Sequence, residues 1–565
     1  MKKPITPVRG AGPGAERRRA RRIAREPALW LALLMLTGAA ACQDVICLMD
    51  PDEEHLCEEP DDVIGQALEA IGPVATTTGV AYRVPAADRI TLLKTAGGSA
   101  EVIHVEVPES PSLLQATPDK RRLLSLSPQA QALVAFTVQD PSDRQTFALG
   151  SSFTALSVSE DGQYAIAFAA GAGDGSAVVQ NNNEMAIINL NEAPGVGNPQ
   201  LIALRSFGSR PFAVTFAPPF TIRGEVRRMA LILSENYVTL LEIDGFDPEN
   251  PNANETVVHF VQNDDGRKLR PEQIIWTEDD PTVDDDVFAF LRTNADDDLI
   301  GLNLLPGEEL DSFDRPRVRP SLNQLTGGKS PAAIALFETR AGAKKLLSVN
   351  RGSRDLAIID VATSDTTLVP LEEPVDQVLV YQAINRDTDQ QESFALLYSA
   401  NQVLRTVLFV ELETVEVRRT RAIERLNLDR GITSLGLTPD PNRALIIHAG
   451  NSAFSILNLE RRFVTPLDLT ASISAVAFAD DEHLLTVLNG QPFVSLIELS
   501  NGHPTSVRLD LPAQRMAVVP GTDTIVIDHG QPIGAVTLMP LSDMSRDAAQ
   551  TLWGFGADDL FSVRD

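Results

Sequence analysis

A six-residue pattern that recurs along the chain constrains the fold more than any other feature. It has two or more aliphatic residues, then Asp, Asn or Glu, then another aliphatic residue. Clear copies lie at 185–190, 238–243, 299–304, 356–361, 407–412, 454–459 and 494–499, with looser copies at 90–95, 133–138 and 536–541. Successive copies start 40 to 61 residues apart, a spacing typical of propeller blades or solenoid units.

Each repeat predicts four strands. In the unit 432–469 they are ITSLGLT, RALIIHAG, AFSILNL and RFVTPLDL, with a turn at Pro439–Asn442 after the first. Strands that read as near-continuous apolar runs are typical of sheets covered on both faces. Repeats also add core unit by unit, so a long body needs no division into separate globular domains.

Two stretches resemble a known family of repeats. The segment Asn350–Thr363 looks like the YVTN-type β-propeller repeat of bacterial and archaeal surface proteins, with Leu347 in place of its Tyr. We expect Gly352 to take a positive φ in the turn of this repeat. The segment Ser159–Ala165 is similar to the S-P-D-G turn of WD-like repeats, with Glu160 in place of Pro.

The resemblance implies an all-β fold, a single β-propeller of four-stranded blades. Ten copies exceed the usual four to eight blades, and we expect eight to ten. One alternative is a blade that the two chain ends form together. An open β-solenoid is the alternative. The predicted organisation is a signal peptide at 1–41, an acidic flexible tether at 42–75, the propeller at 76–541 and a C-terminal tail at 542–565, in which 542–550 is a candidate helix.

The N-terminus has the pattern of an export signal. Nine Lys and Arg residues precede the apolar run Ala28–Ala41, which is shorter than the 20 or so residues that span a bilayer. Gly38–Cys42 resembles a bacterial lipobox, which implies lipidation of Cys42, and Gln43 then favours the outer membrane. An ordinary secreted protein cut after Ala39 or Ala41 is the alternative.

The three cysteines, Cys42, Cys47 and Cys57, all lie within 16 residues of one another. If Cys42 carries lipid, Cys47 and Cys57 remain as a pair, and an oxidising compartment favours a disulfide between them. Two free thiols, or a pairing of Cys42 in a protein without lipid, are the alternatives.

Charge excludes one class of partner. From Cys42 onward the chain has 39 Lys and Arg against 75 Asp and Glu, a net charge of −36. Nucleic-acid binding requires a basic surface, so we expect no nucleic-acid partner, and contact with the membrane through the lipid anchor only. The partner is predicted to be an envelope protein or a surface polymer.

The search for chemistry finds no catalytic motif, and no cofactor or metal is predicted. His448 and His529 end equivalent second strands and could face the axial channel, although a packed structural histidine is the simpler interpretation. Asp284, Asp285 and Asp286 are candidates for calcium binding within one turn, but they lack the spacing of a calcium loop and also suit a solvated turn.

These observations predict a non-enzymatic lipoprotein of the cell envelope that acts as a binding or scaffold propeller. The alternative is a propeller enzyme, a lactonase- or lyase-like hydrolase whose site lies at the axial channel. That alternative requires histidines or carboxylates that converge on the innermost strands of several blades.

Overall fold

The computed structural model describes residues 69–555, except 97–98, 171–180, 182, 206–209, 245–246, 248–250, 261–268, 281–282, 284–286, 312, 386–387 and 533. It confirms the all-β propeller. Ten four-stranded antiparallel sheets form the blades of one ring, at the upper end of the predicted range.

The first five blades have the following strands. Blade 1 has β1 (Ile71–Ala75), β2 (Gly79–Val84), β3 (Arg89–Ala96) and β4 (Ser99–Glu106). Blade 2 has β5 (Leu113–Ala116), β6 (Arg122–Ser127), β7 (Ala132–Thr137) and β8 (Arg144–Ala148). Blade 3 has β9 (Ala155–Val158), β10 (Tyr164–Phe168), β11 (Glu184–Asn189) and β12 (Gln200–Ala203). Blade 4 has β13 (Ala213–Phe216), β16 (Met229–Ser234), β17 (Tyr237–Glu242) and β18 (Glu255–His259), with a separate hairpin of β14 (Phe220–Ile222) and β15 (Glu225–Arg227) after its first strand. Blade 5 has β19 (Pro271–Trp276), β20 (Phe288–Thr293), β21 (Asp298–Leu310) and β22 (Pro316–Thr326).

The remaining five blades follow in chain order. Blade 6 has β23 (Pro331–Glu338), β24 (Lys344–Asn350), β25 (Asp355–Asp360) and β26 (Thr366–Pro370). Blade 7 has β27 (Gln377–Asn385), β28 (Gln390–Tyr398), β29 (Thr406–Glu411) and β30 (Ile423–Asn427). Blade 8 has β31 (Ile432–Leu437), β32 (Arg443–His448), β33 (Ala453–Asn458) and β34 (Phe463–Asp468). Blade 9 has β35 (Ile473–Phe478), β36 (His483–Leu488), β37 (Phe493–Glu498) and β38 (Pro504–Arg508). Blade 10 has β39 (Arg515–Val518), β40 (Thr524–Asp528), β41 (Ala535–Pro540) and β42 (Gln550–Trp553).

The propeller extends beyond its predicted limits at both ends. Strand β1 begins at Ile71, inside the segment assigned to the tether, and β42 ends at Trp553, inside the segment assigned to the tail. The expected helix at 542–550 is absent, since turns lead there into β42. Among the described residues the helical segments are one α-helical turn, α1 (Val415–Arg418), and 3-10 turns at Pro85–Ala87, Pro251–Asn254 and Arg419–Ala422.

All ten copies of the six-residue pattern lie on third strands, one in each blade. The polar residue of the pattern has a local structural role at the end of its strand. The Asp360 carboxylate accepts hydrogen bonds from the backbone N–H groups of Ala362 and Thr363, both at 3.0 Å. Asn189 caps the same turn in blade 3 by accepting from the Asn191 N–H at 3.1 Å. The polar position thus satisfies backbone donors where the chain leaves the third strand.

Gly352 does not take the positive φ that the sequence suggested. The left-handed residue of this turn is Arg354, at φ 54°. Gly352 is instead a point of close approach, because its N–H donates to the Lys329 carbonyl at 2.9 Å and an added Cβ would lie 2.9 Å from that same oxygen. The glycine lets the turn of blade 6 lie against the segment that enters the blade.

The core lies between neighbouring blades. The side chains of each sheet alternate between the two adjacent sheets, so ten interfaces share the apolar residues. The ring closes without strand exchange, because blade 1 and blade 10 are each continuous in sequence and pack side by side. Tyr82 and Phe555 meet there with ring centroids 4.9 Å apart, in a cluster that includes Val80, Val526 and Leu538. This contact excludes the open solenoid and the shared blade.

Candidate functional site

The first strands of the blades surround the axis of the ring. Each forms one edge of its sheet, and first strands of neighbouring blades contact one another around the ring. Among the described residues of these ten strands, the charged side chains are Glu272, Glu338 and Arg515, and histidine is absent. Glu272 pairs with Arg292 at 2.7 Å. The described axial strands therefore do not bring together the histidines and carboxylates that a hydrolase at this position requires.

His448 is fixed inside blade 8, one strand away from the axis. Its Nδ1 lies 3.3 Å from the Gly431 carbonyl oxygen and its Nε2 lies 2.7 Å from the Ser455 hydroxyl. A carbonyl oxygen only accepts, so Nδ1 carries the proton and Nε2 accepts from Ser455. Burial lowers the pKa of His448, which favours this neutral form.

His529 has the same arrangement in blade 10. Its Nδ1 lies 3.0 Å from the Pro512 carbonyl oxygen and its Nε2 lies 2.7 Å from the Thr537 hydroxyl. Burial is also the main cause that lowers its pKa. Both histidines thus connect the end of the second strand to the third strand and to the segment that enters the first strand.

Other blades place different residues at this position for the same purpose. Ser127 ends the second strand of blade 2 and donates to the Pro108 carbonyl at 2.9 Å. Asn350 ends that of blade 6, where its amide donates to the Gly327 carbonyl and, at 2.7 Å, to the Asp355 carboxylate. Since serine and asparagine replace histidine here, the position fixes the blade connection, and the two histidines have hydrogen-bond partners consistent with a structural role.

An aromatic-lined cleft lies beside the first strands of blades 5, 6 and 7. This inner cleft has a volume of about 510 Å³ and is lined mainly by Trp276, Phe337, Lys344, Tyr381 and Gln382. Lys344 donates to the Glu278 carbonyl at 2.8 Å, which holds its ammonium group at the wall. Aromatic surface beside a few polar groups, at a size within the usual range of ligand sites, is suited to binding.

Tyr381 also lines a second cleft, between blades 7 and 8. That cleft holds about 410 Å³, and Arg462 crosses its wall above the rings of Phe394 and Phe409, at 5.6 and 5.4 Å from their centroids. Arg462 pairs with Glu424 and, at 3.6 Å, with Glu411. Burial raises the pKa of Tyr381, so its hydroxyl remains protonated. The two clefts share Tyr381 in their walls.

The residues predicted as sites lie largely outside the described part of the chain. Cys42, Cys47, Cys57 and the triplet Asp284–Asp286 all fall there. Within the described part, no group of three or more His, Cys, Asp or Glu side chains is placed to hold a metal ion. No helix in that part is both long and apolar enough to cross a membrane.

Two of the acidic residues that follow β20 of blade 5, Asp297 and Asp298, form hydrogen bonds that stabilise the fold. Asp297 accepts from the Ser330 N–H at 2.8 Å, which joins the turn of blade 5 to the start of blade 6. Asp298 accepts from the Gln324 amide at 2.5 Å, across the third and fourth strands. The inner cleft was missed from the sequence because Trp276, Phe337 and Tyr381 each resemble ordinary core residues of a strand.

The fold places this chain in the class of ten-bladed β-propellers. No family model matches it, and the search of curated proteins found no match. Among solved structures, it is similar to dihydro-heme d1 dehydrogenase NirN in complex with DHE, with a TM-score of 0.37 and 11% identity over 78% of this chain and 73% of that chain. It is also similar to BBS1N in complex with ARL6DN, with a TM-score of 0.31 and 8% identity over 60% of this chain and 90% of that one. Similarities of this strength carry no argument about ligand or activity.

Proposed function

We propose that the chain is a non-enzymatic, lipid-anchored propeller that binds an envelope protein or a surface polymer at the outer membrane of a bacterial cell. The N-terminal sequence supports the location, since a basic segment and a short apolar run lead to Gly38–Cys42. The acidic segment after Cys42 serves as the tether, because residues 42–62 hold nine Asp and Glu and no Lys or Arg, and like charges repel one another.

The inner cleft is the binding site in this proposal, and its aromatic lining is the observation that carries it. Trp276, Phe337 and Tyr381 come from three successive blades, and Lys344 and Gln382 add polar groups at the same wall. Phe337 and Tyr381 are only 6% and 5% exposed, so the accessible aromatic surface is chiefly that of the half-buried Trp276. This ring, with the donors and acceptors beside it, suits a polymer as well as a peptide segment.

The propeller-enzyme alternative receives no support from the described residues of the axial strands. His448 and His529 bond to structural groups one strand away from the axis. The carboxylates on those strands are Glu272 and Glu338, on neighbouring blades, and Glu272 is paired with Arg292.

The location is tested by changing Cys42→Ala in the full-length protein. The anchored protein is expected in the outer-membrane fraction with labelled fatty acid incorporated. The variant is expected in the soluble envelope fraction without label. An unchanged membrane fraction or unchanged labelling in the variant would reject the lipid anchor.

Binding is tested by sedimentation of the full-length, detergent-solubilised protein with isolated cell-wall polymer, and by cross-linking to envelope proteins in cells. Trp276→Ala is expected to reduce the captured fraction at least several-fold. Trp553→Ala is the matched control, because Trp553 is 45% exposed on the outer strand of blade 10. Equal capture by both variants would show that the inner cleft is not the binding site.

A further inference from the structure

A third cleft lies on the outer wall of the ring, away from the inner cleft. This outer cleft has a volume of about 530 Å³ and is formed by the segment after β12, the start of β18 and the paired strands β21 and β22. Its wall contains four carboxylates and three guanidinium groups, carried by Glu242, Glu255, Glu308, Glu309, Arg205, Arg317 and Arg319.

Glu255 is the unusual residue of this wall. Glu255 is only 7% exposed. One carboxylate oxygen, Oε2, accepts from the backbone N–H of Arg205 at 3.1 Å. The other, Oε1, is buried and has no hydrogen-bond partner. A buried acceptor without a partner is destabilising, so a donor that enters the cleft and bonds to it would relieve that cost.

The neighbouring carboxylates strengthen the attraction for a positive group. Glu242 is also buried, and its Oε1 accepts from the Val318 N–H at 2.6 Å. Glu308 and Glu309 are exposed and stand at the rim of the same cleft. Burial raises the pKa values of Glu242 and Glu255 at the floor, and a positive group beside them would favour their ionised forms. Glu308 and Glu309 carry the carboxylates of the entrance.

The arginines do not make the cleft a site for anions. The Nη1 atom of Arg317 donates to the Ala253 carbonyl and to Asn254 Oδ1, both at 2.9 Å, which holds this guanidinium group against the wall. Arg205 and Arg319 are exposed at the edge. An anion that reached the floor would face the unpartnered Glu255 oxygen, which can only accept a hydrogen bond while it is ionised.

We propose that the outer cleft binds a primary ammonium or guanidinium group, inserted so that it donates to Glu255 Oε1. Such a group is carried by a small amine or by a Lys or Arg side chain of a basic polypeptide. The formal net charge of the chain, −29, favours encounter with basic partners. This site is independent of the inner cleft and of the lipid anchor.

Calorimetric titration of the full-length, detergent-solubilised protein tests the site with two probes. The first is N-acetyl-arginine amide, and the second is an octalysine peptide. The neutral N-acetyl-citrulline amide is the control ligand. Saturable binding of the arginine probe with one site per chain assigns the site to small cations as well, whereas binding of the peptide alone assigns it to basic polypeptides. Both results support the proposal.

Glu255→Gln is expected to weaken binding about tenfold or more, because it keeps the shape and removes the charge. Glu101→Gln, an exposed carboxylate on β4 of blade 1, is the matched control and should leave binding unchanged. Glu309→Arg at the rim is the second variant, since it blocks a cation without changing a buried residue. It should also weaken binding.

Three results would overturn the proposal. The first is that neither probe shows saturable binding, which would mean that water alone occupies the cleft. The second is an equal loss of affinity in Glu255→Gln and Glu101→Gln, which would indicate attraction by net charge. The third is saturable binding of inorganic phosphate, titrated in the same way. Binding of the citrulline control as tightly as the arginine probe would count equally against the site. If Glu255→Gln fails to fold, unchanged binding by Glu309→Arg would refute the site.

Discussion

Among the described residues, side-chain packing such as that of Tyr82 and Phe555 closes the ring, and Phe555 is the residue by which to test it. Blade 1 and blade 10 exchange no strand, and Phe555, 2% exposed, fills the space beside Tyr82. Truncating a buried Phe to Ala costs about 3–5 kcal/mol through lost transfer free energy and the cavity left behind. The lost aromatic pair contributes about 0.5–1.5 kcal/mol beyond buried area. We therefore expect Phe555→Ala to lower the free energy of unfolding by about 4 kcal/mol.

The assay uses two tryptophans as separate reporters during urea unfolding. Trp553 lies in β42 at the closure, and Trp276 lies in blade 5. In a Trp30→Phe background, each reporter is read alone after the other tryptophan is replaced by Phe. In the protein that retains Phe555, the two reporters should give coincident unfolding transitions, because a closed ring couples its blades. In Phe555→Ala, the Trp553 transition should occur first, because blades 1 and 10 lose contact and unfold locally.

Phe153→Ala is the matched control. Phe153 is fully buried in the cluster between blades 2 and 3, so its loss should cost a similar free energy and leave the order of the two transitions unchanged. If Phe555→Ala changed the free energy of unfolding by less than about 1 kcal/mol, well below the usual cost of such a cavity, the reasoning on ring closure would be refuted. The same holds if both transitions moved together as in the control.

Three further predictions concern buried charge, pH and oxidation. Arg227 and Asp311 form a buried pair at 3.2 Å that joins the hairpin of blade 4 to blade 5. Arg227→Met should lower the free energy of unfolding in urea by about 1–3 kcal/mol, because Asp311 loses this hydrogen bond but keeps Arg315 as an ion-pair partner at 2.8 Å. A loss below about 0.5 kcal/mol would contradict this. Burial acts to raise the pKa of Asp311, but hydrogen bonds, chiefly from the backbone and side chain of Arg315, outweigh it and lower this pKa to about 2. Its contribution is therefore present above about pH 4 and is lost as the pH falls toward 2. The lowered pKa of His529 means that the unfolded state binds a proton at this residue more readily, so the free energy of unfolding should fall as the pH drops below about 6.5. His529→Asn should reduce that fall. An unchanged pH dependence in the variant would count against this role of His529. A thiol assay on the unfolded, unreduced protein should find no free thiol if Cys47 and Cys57 are paired, whereas about two thiols per chain would reject the disulfide.

The close agreement at the level of strands has a local physical cause. In the unit 432–469, the four predicted segments coincide with β31, β32, β33 and β34. Apolar runs of strand length and turn residues such as those at 439–442 favour strands and turns through local sequence, so one short stretch is enough to predict them. Repetition of the pattern ten times then fixed the number of blades within the predicted range.

The predicted limits of the propeller failed where the repeat pattern is weak. Strand β1, IGPVA, and strand β42, QTLW, are short and lack the aliphatic run of the inner strands. They become strands because an adjacent strand of the same blade offers hydrogen-bonding groups along its edge. Pairing of this kind depends on the partner strand, and the local sequence alone does not report it.

The sequence by itself determined the strand pattern and the acidic charge, since the strand pattern depends on neighbours in the chain and the charge on composition alone. The tertiary structure decided how the ring closes, why Gly352 is a glycine, and what His448 contacts. It also decided the clefts, because Trp276 and Tyr381 are more than 100 residues apart in sequence and line one wall only when three blades stack side by side. The physical reason is that strands form through local propensity, whereas a cleft exists only in the packing between blades.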